Sequence, residues 1–252
     1  MDKQTRIYEI YSFIDKQKSV QVSTLANIFN VSQMTIRRDL KELESANLIY
    51  RKYGVAKIQP NKSLEIAFNQ RLRSNENQKK IIAKKALHLL SLSNSSKIFL
   101  DGSSTSYELA KIIPDNSSLT IYTNNISALS ILANKPSLKI YMIGGFVSDD
   151  RNTTDDKYVL NLVKEIYVDI SFISCSGFTE NEVRNADTSG FESKKTLLAN
   201  SHKAILLATA DKYNKPGVFV IDDWENIDTL ILDRSLPQSI DRKLRNKHIN
   251  IF

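Results

Sequence analysis

Val31-Ser32-Gln33-Met34-Thr35-Ile36-Arg37-Arg38-Asp39-Leu40, followed two residues later by Leu43-Glu44, decides how this chain of 252 residues is read. Ser32 suits a helix N-cap, because its hydroxyl can accept from an amide of the first turn. Ile36, Leu40 and Leu43 recur at helical spacing and mark an inward stripe. That leaves Ser32, Gln33, Met34, Thr35, Arg37 and Arg38 outward. Gln can bond adenine through two contacts, Ser and Thr reach bases or phosphates, and Arg reads guanine or clamps phosphate. Arg37 and Arg38 cannot point the same way on a helix. One is assigned to phosphate and the other to a base edge or to a carboxylate such as Glu42.

The flanks complete a module. Upstream, Val22, Leu25, Ala26 and Phe29 form a second helical stripe, with Ser23 or Thr24 placed to cap it, and Val31 closes a short turn. Ile7, Ile10, Tyr11 and Ile14 form a third stripe. Downstream, Leu48-Ile49-Tyr50 and Val55-Ala56-Lys57-Ile58 flank a turn at Tyr53-Gly54, which predicts a hairpin carrying the basic pair Arg51 and Lys52. Three helices and a ribbon read as a winged helix-turn-helix over residues 1–58, whose third helix enters the major groove. A small helical bundle with a polar surface is the bland alternative.

Charge is distributed to match. Residues 1–62 carry 11 basic and 6 acidic side chains, whereas the remainder carries 24 and 22. The basic first quarter attracts polyanions, either nucleic acid or an anionic membrane. There is one cysteine, Cys175, so no intrachain disulfide can form, which suits a reducing cytoplasm. It sits in the apolar run 169–175 and reads as a core residue. No stretch approaches the roughly 18 apolar residues of a membrane helix, and no signal-type apolar core opens the chain.

Residues 59–76 read as a linker, broken by Pro60, Asn61 and Ser63 and polar from Arg71 to Asn77. A helix is predicted from near Gln78 through Leu90. From there strands at 97–100, 119–123, 138–143, 168–175, 203–208, 229–232 and 248–252 alternate with helices at 109–113, 127–133, 192–200 and 238–246. That alternation predicts an α/β domain over 77–252 with a mainly parallel sheet.

Four polar clusters fall at strand ends, where open parallel sheets bind ligands. Asp101-Gly102-Ser103-Ser104-Thr105-Ser106 puts hydroxyls and amides at a helix start, suited to a phosphate or to a plain N-cap loop. Tyr122-Thr123-Asn124-Asn125 could bond ligand hydroxyls or cap a helix. Gly144-Gly145 permits either close backbone approach to a ligand or a tight turn. Lys212, within Thr209–Tyr213, is a partner for phosphate or hydroxyl.

The stretch from Val31 to Glu44 resembles the DeoR family of bacterial regulators, whose recognition helix reads VSxxTIRRDLxxLE. Within that pattern Asp39 is read as structural, holding an arginine or a helix end. The family's wing reads R-x-H-G-G-A. Here it is Arg51-Lys52-Tyr53-Gly54-Val55-Ala56, without the histidine and the second glycine. The resemblance continues downstream. It implies a sensor domain similar in fold to ribose-5-phosphate isomerase and the CoA transferases, binding phosphorylated sugars that release the protein from DNA. Asp101-Gly102-Ser103-Ser104-Thr105 is similar to the family's DxG[ST]T, with Ser103 in place of glycine, a residue less suited to a positive φ. Thr123-Asn124 is similar to a family TN motif. Lys212 matches D-x-[ST]-K, with Thr209 where the aspartate stands, and Gly190-Phe191 replaces the family's E-A.

His88, His202 and His248 are widely spaced and lack partners at metal-ligand spacing, and no cofactor is implied. No nucleophile elbow, Walker A or dinucleotide fingerprint occurs. Asp101, Asp169 and Lys212 could be relics of isomerase chemistry, or could only shape a pocket. The reading is therefore a cytoplasmic regulator of a carbohydrate operon, a homo-oligomer (dimer or tetramer) on double-stranded DNA, with a phosphorylated sugar as effector. The alternative is a sugar-phosphate isomerase-like enzyme with a DNA-binding appendage.

Overall fold

A computed structural model describes residues 3–45, 48–59, 68–115, 118–148, 152–155, 157–186, 188 and 190–252. Three helices build the head: α1 (Lys3–Gln17), α2 (Val22–Ile28) and α3 (Gln33–Ser45). Ile7, Ile10, Ile14, Leu25, Ile36, Leu40 and Leu43 are wholly buried at their junction. Tyr11, grouped with that stripe by spacing, turns away from it toward Phe219. The wing is larger than its two predicted strands. Residues Ser19–Gln21 form β1, which pairs antiparallel with β3 (Val55–Ile58), and β3 pairs in turn with β2 (Ile49–Lys52). α2 starts at Val22 after Gln21, so Ser23 and Thr24 lie inside the helix and do not cap it. Tyr53 and Gly54 both adopt positive φ, at 51° and 75°. Two such residues make the tight turn whose twist matches a hairpin.

Part of the predicted linker is helical. Residues 60–67, with Pro60, Asn61 and Ser63 among them, lie outside the described residues. Phe68–Arg73 is a helix, α4, whose Phe68 is buried against the ring of Tyr107 at 5.9 Å. α5 (Glu76–Ser91) follows, after Asn75 in a left-handed turn.

Strands and helices then alternate: β4 (Lys97–Leu100), α6 (Ser104–Ile112), β5 (Thr120–Thr123), α7 (Ile126–Leu132), β6 (Lys139–Met142), α8 (Lys157–Lys164) and β7 (Val168–Ser174). β8 (Gly177–Phe178), β9 (Val183–Asn185), α9 (Phe191–Ala199), β10 (Ser201–Leu207), β11 (Phe219–Asp222), β12 (Thr229–Ile231), α10 (Gln238–Asn246) and β13 (Asn250–Ile251) complete the chain. Seven strands form one parallel sheet in the order β13-β12-β10-β7-β4-β5-β6. Side chains alternate across it. Ile98, Leu100 and Phe172 face α5, α6 and α7, while Phe99 and Ile173 face α8 and α9. A small antiparallel sheet, β11-β9-β8, and helix α8 were absent from the sequence reading. Among the described residues no helix is long and apolar enough to cross a membrane.

The order fixes where a ligand can enter. After β4 the chain builds outward through β5 and β6, then crosses back to place β7 on the other side of β4. The carboxyl ends of β4 and β7 are thus a topological switch point, where an open sheet leaves a crevice.

Candidate functional site

Two places merit attention, and the head offers the first. Ser32 caps α3 as the sequence suggests, accepting from the Thr35 amide at 3.1 Å and pairing with its hydroxyl at 2.9 Å. Gln33, Met34, Arg37 and Arg38 are exposed along the first two turns, Met34 at 66%. Neither arginine forms an ion pair among the described residues; Glu42, considered as a partner, is taken by Lys3. Arg51 is different. Its Nε donates to Glu44 at 2.9 Å and its amide to the same carboxylate at 3.1 Å, so it braces β2 against α3. Those bonds lower the pKa of Glu44. Lys52 is exposed, with its ammonium 5.3 Å from the Tyr53 ring. Asp39 is wholly buried and accepts from Arg6 of α1 at 2.6 and 3.2 Å, so it is structural as read.

The second place is a cavity of about 430 Å³ at the switch point. Asp101, Gly102, Ser103, Ser104, Asn124 and Lys212 line it. Asp101 closes β4, and its Oδ1 accepts from the Ser103 amide at 3.1 Å and the Ser106 hydroxyl at 2.6 Å. Its Oδ2 accepts from the Ser174 amide at 2.8 Å, which fastens β4 to β7. Ser103 has φ −80° and caps α6, so the serine sits there without strain. The cap serves the Ser106 amide. The amides of Ser104 and Thr105, earlier in that turn, have no carbonyl of their own helix to bond, which suits an anion. Gly102 is required by contact: a Cβ there would stand 2.0 Å from Cγ2 of Thr153.

Asn124 donates to the Thr154 carbonyl at 3.0 Å, while its buried Oδ1 has no partner among the described residues. Lys212 Nζ donates to the Cys175 carbonyl at 2.5 Å and the Ser174 hydroxyl at 3.1 Å, and burial lowers its pKa.

Four expected residues lie elsewhere. Thr105 is buried in α6 away from the cavity. Thr123 spends its hydroxyl on the Leu100 carbonyl at 2.7 Å and on the Asn125 amide at 3.0 Å. Gly144 and Gly145 are exposed beyond the edge strand β6 and do not border the cavity. Asp169 is also excluded. It sits at the opposite end of β7, accepting the amides of Ser96 and Lys97 at 2.7 and 2.9 Å, which lower its pKa.

The cavity gains groups that the sequence reading passed over. Arg71, Asn75 and Lys79 come from the supposed linker and the first turn of α5; Asp155, Lys194, Asp211 and Lys215 complete its charged wall. Burial, with the charges of Lys212 and Arg71, pushes Lys79 down to about 8. Burial raises Asp211, but bonds from Lys215, Thr209 and Asn75 outweigh it and hold the carboxyl at about 2. Asp211 thus supplies a carboxylate beside Thr209, where the family pattern has its own. The dense polar run 71–77 was the available signal. Among the described residues no group of three His, Cys, Asp or Glu could hold a metal.

Both places fall within matches to known family models. Residues 6–62 match the model of the DeoR-like helix-turn-helix domain, and residues 74–234 match the DeoR C terminal sensor domain. An L-fucose operon activator of Haemophilus influenzae is 31% identical over 92% of this chain and 93% of its own. The glycerol-3-phosphate regulon repressor of Escherichia coli is 26% identical over 99% of this chain and 98% of its own. A solved D-ribose-5-phosphate isomerase in complex with phospho-erythronic acid is 14% identical, covers 55% of this chain and 54% of its own, and has a TM-score of 0.40, a likeness too slight to bear on function. The match of both domain models, one on the exposed recognition helix and one around the cavity, shows that the chain belongs to the DeoR family of DNA-binding transcription regulators.

Proposed function

We propose that the chain represses a carbohydrate operon in the cytoplasm and leaves its operator when a phosphorylated sugar fills the switch-point cavity. The convergence of Lys79, Lys194 and Lys212 with the unpartnered Oδ1 of Asn124 carries this reading. Cations and the Ser104 amide at the start of α6 suit a phosphoryl group, and the acceptor suits a sugar hydroxyl. Relatives named for L-fucose and for glycerol-3-phosphate support small polyols as the ligand class. The chain acts as a homo-oligomer, dimer or tetramer, because one recognition helix reads too few base pairs for useful specificity. Ser32, Gln33, Met34, Arg37 and Arg38 read or clamp the DNA, with Lys52 adding charge from the wing. Arg51 acts indirectly, by holding the wing to α3.

The cavity is a sensor and not an active site in this reading. Asp101 gives three of its roughly four acceptor sites to the Ser103 amide, the Ser106 hydroxyl and the Ser174 amide, which suits a group that holds β4, β7 and α6 together around a ligand. Thermal unfolding of the full chain against phosphorylated trioses, pentoses and hexoses tests the proposal. A ligand at 100 times its Kd adds about 2.7 kcal/mol, a readily visible shift in Tm. Lys212→Met should abolish the shift while leaving operator binding intact. Equal shifts from the unphosphorylated sugars, or turnover of any of these compounds, would contradict it.

A further inference from the structure

α1 presents two faces. Ile7, Ile10 and Ile14 are wholly buried in the head. Tyr8 and Tyr11 reach out of it to the sensor domain. The Tyr8 ring lies 5.2 Å from Phe191 and 6.0 Å from Phe219, Tyr11 lies 5.8 Å from Phe219, and the two phenylalanines are 5.7 Å apart. These tilted and edge-on geometries are the ones aromatic rings favour. Burial, then the Glu192 carboxylate, pushes the Tyr8 phenol up to about 12, so the joint stays uncharged.

Both sensor rings adjoin the cavity wall. Phe191 follows Gly190, which borders the cavity and whose amide donates to Asp155 at 2.6 Å. Lys194 of the same helix lies 4.0 Å from Asp101. Phe219 follows the cavity-lining segment Lys215–Gly217. There Gly217 packs so closely on β9 that a Cβ would meet the Asn185 carbonyl oxygen at 2.8 Å. On the other side, Arg6 of α1 holds Asp39 of the recognition helix at 2.6 Å. Packed groups therefore run without a break from cavity to recognition helix.

We propose that the joint of Tyr8, Tyr11, Phe191 and Phe219 couples occupancy of the cavity to the placement of the recognition helix. The effector part of this inference rests on the function proposed above. A ligand that draws Lys194 or Lys215 inward moves α9 or the strand start at Phe219, and the rings pass that movement to α1. Coupling is reciprocal, so DNA on the head must alter the cavity wall in turn.

The test uses the full chain and a duplex from its own promoter region. Hydrogen exchange at the amides of 191–199 and 217–222 should change when the duplex binds. It should not change in Tyr8→Ala/Tyr11→Ala, which leaves the Ile7, Ile10 and Ile14 core in place. Tyr8→Leu/Tyr11→Leu, which keeps apolar area and removes the rings, serves if the alanine pair fails to fold. An unchanged wild-type pattern, or the same change in the variant, overturns the joint. A second arm measures operator affinity with each phosphorylated sugar of the panel. Wild type should lose about tenfold, a usual size for such coupling, and the variant under twofold. Should no sugar act on wild type while the exchange change is still lost in the variant, the joint stands and the effector reading falls.

Discussion

Asp39 shows how much a single residue can carry. It is wholly buried, and both its oxygens are held by Arg6. Removing one partner of a buried pair strands the other charge, so Asp39→Ala should cost about 3 kcal/mol in urea unfolding. Its structural role was legible from the motif, but its partner was not, because Arg6 lies on another helix and no local spacing links the two. Gly102 makes a second case. Gly102→Ala forces a methyl into Cγ2 of Thr153 and should weaken effector binding. Thr153→Ser removes that carbon, keeps the hydroxyl, and should restore part of the affinity. Lys79 gives a pH signature. Its pKa is about 8 when folded against an ordinary 10.5, so stability from this group rises with pH between those values. An anion prefers the charged lysine. Effector affinity should be full below pH 8 and fall as pH rises through it, and Lys79→Gln should flatten that fall in a calorimetric titration.

Elements were legible in proportion to their regularity. The recognition helix and the core strands 97–100 and 168–175 stood out because buried parallel strands read as short apolar runs bounded by polar loops. β8, β9 and β11 did not, since strands of two to four residues such as Val183-Arg184-Asn185 show no alternation long enough to detect. α4 was hidden by its charge: Arg71 and Arg73 read as linker, although Phe68 anchors the helix to α6. The wing turn carries its own test. Tyr53 pays for a left-handed φ that asparagine adopts more easily, so Tyr53→Asn should raise stability by about 0.5 kcal/mol in thermal unfolding. A loss instead would mean that Tyr53 holds the wing through Lys52.

At the scale of the molecule, the switch point organises everything else. Strand ends far apart in sequence meet there, which is why Asp101, Asn124 and Lys212, singled out by their likeness to family motifs, could be placed together on one edge of an expected parallel sheet. Gly144 and Gly145 failed the same logic because β6 is the outermost strand, too far from the crevice between β4 and β7. The cavity's remaining cations come from a segment outside the sheet, and only the packing of α4 and α5 brings them in. The docking of α1 on the sensor was equally invisible, since Tyr8 and Tyr11 read as ordinary members of an amphipathic helix. The charge of the head was legible in the sequence: a basic DNA-binding domain should bind less tightly as salt rises, and steeply so. The most direct measurement is a titration of the full chain onto its own promoter DNA and onto random duplex, with and without each phosphorylated sugar. A salt-dependent preference for the promoter is expected, and at least one sugar phosphate should lower it about tenfold. Equal binding to both duplexes, or a promoter affinity that no sugar phosphate alters, would contradict it.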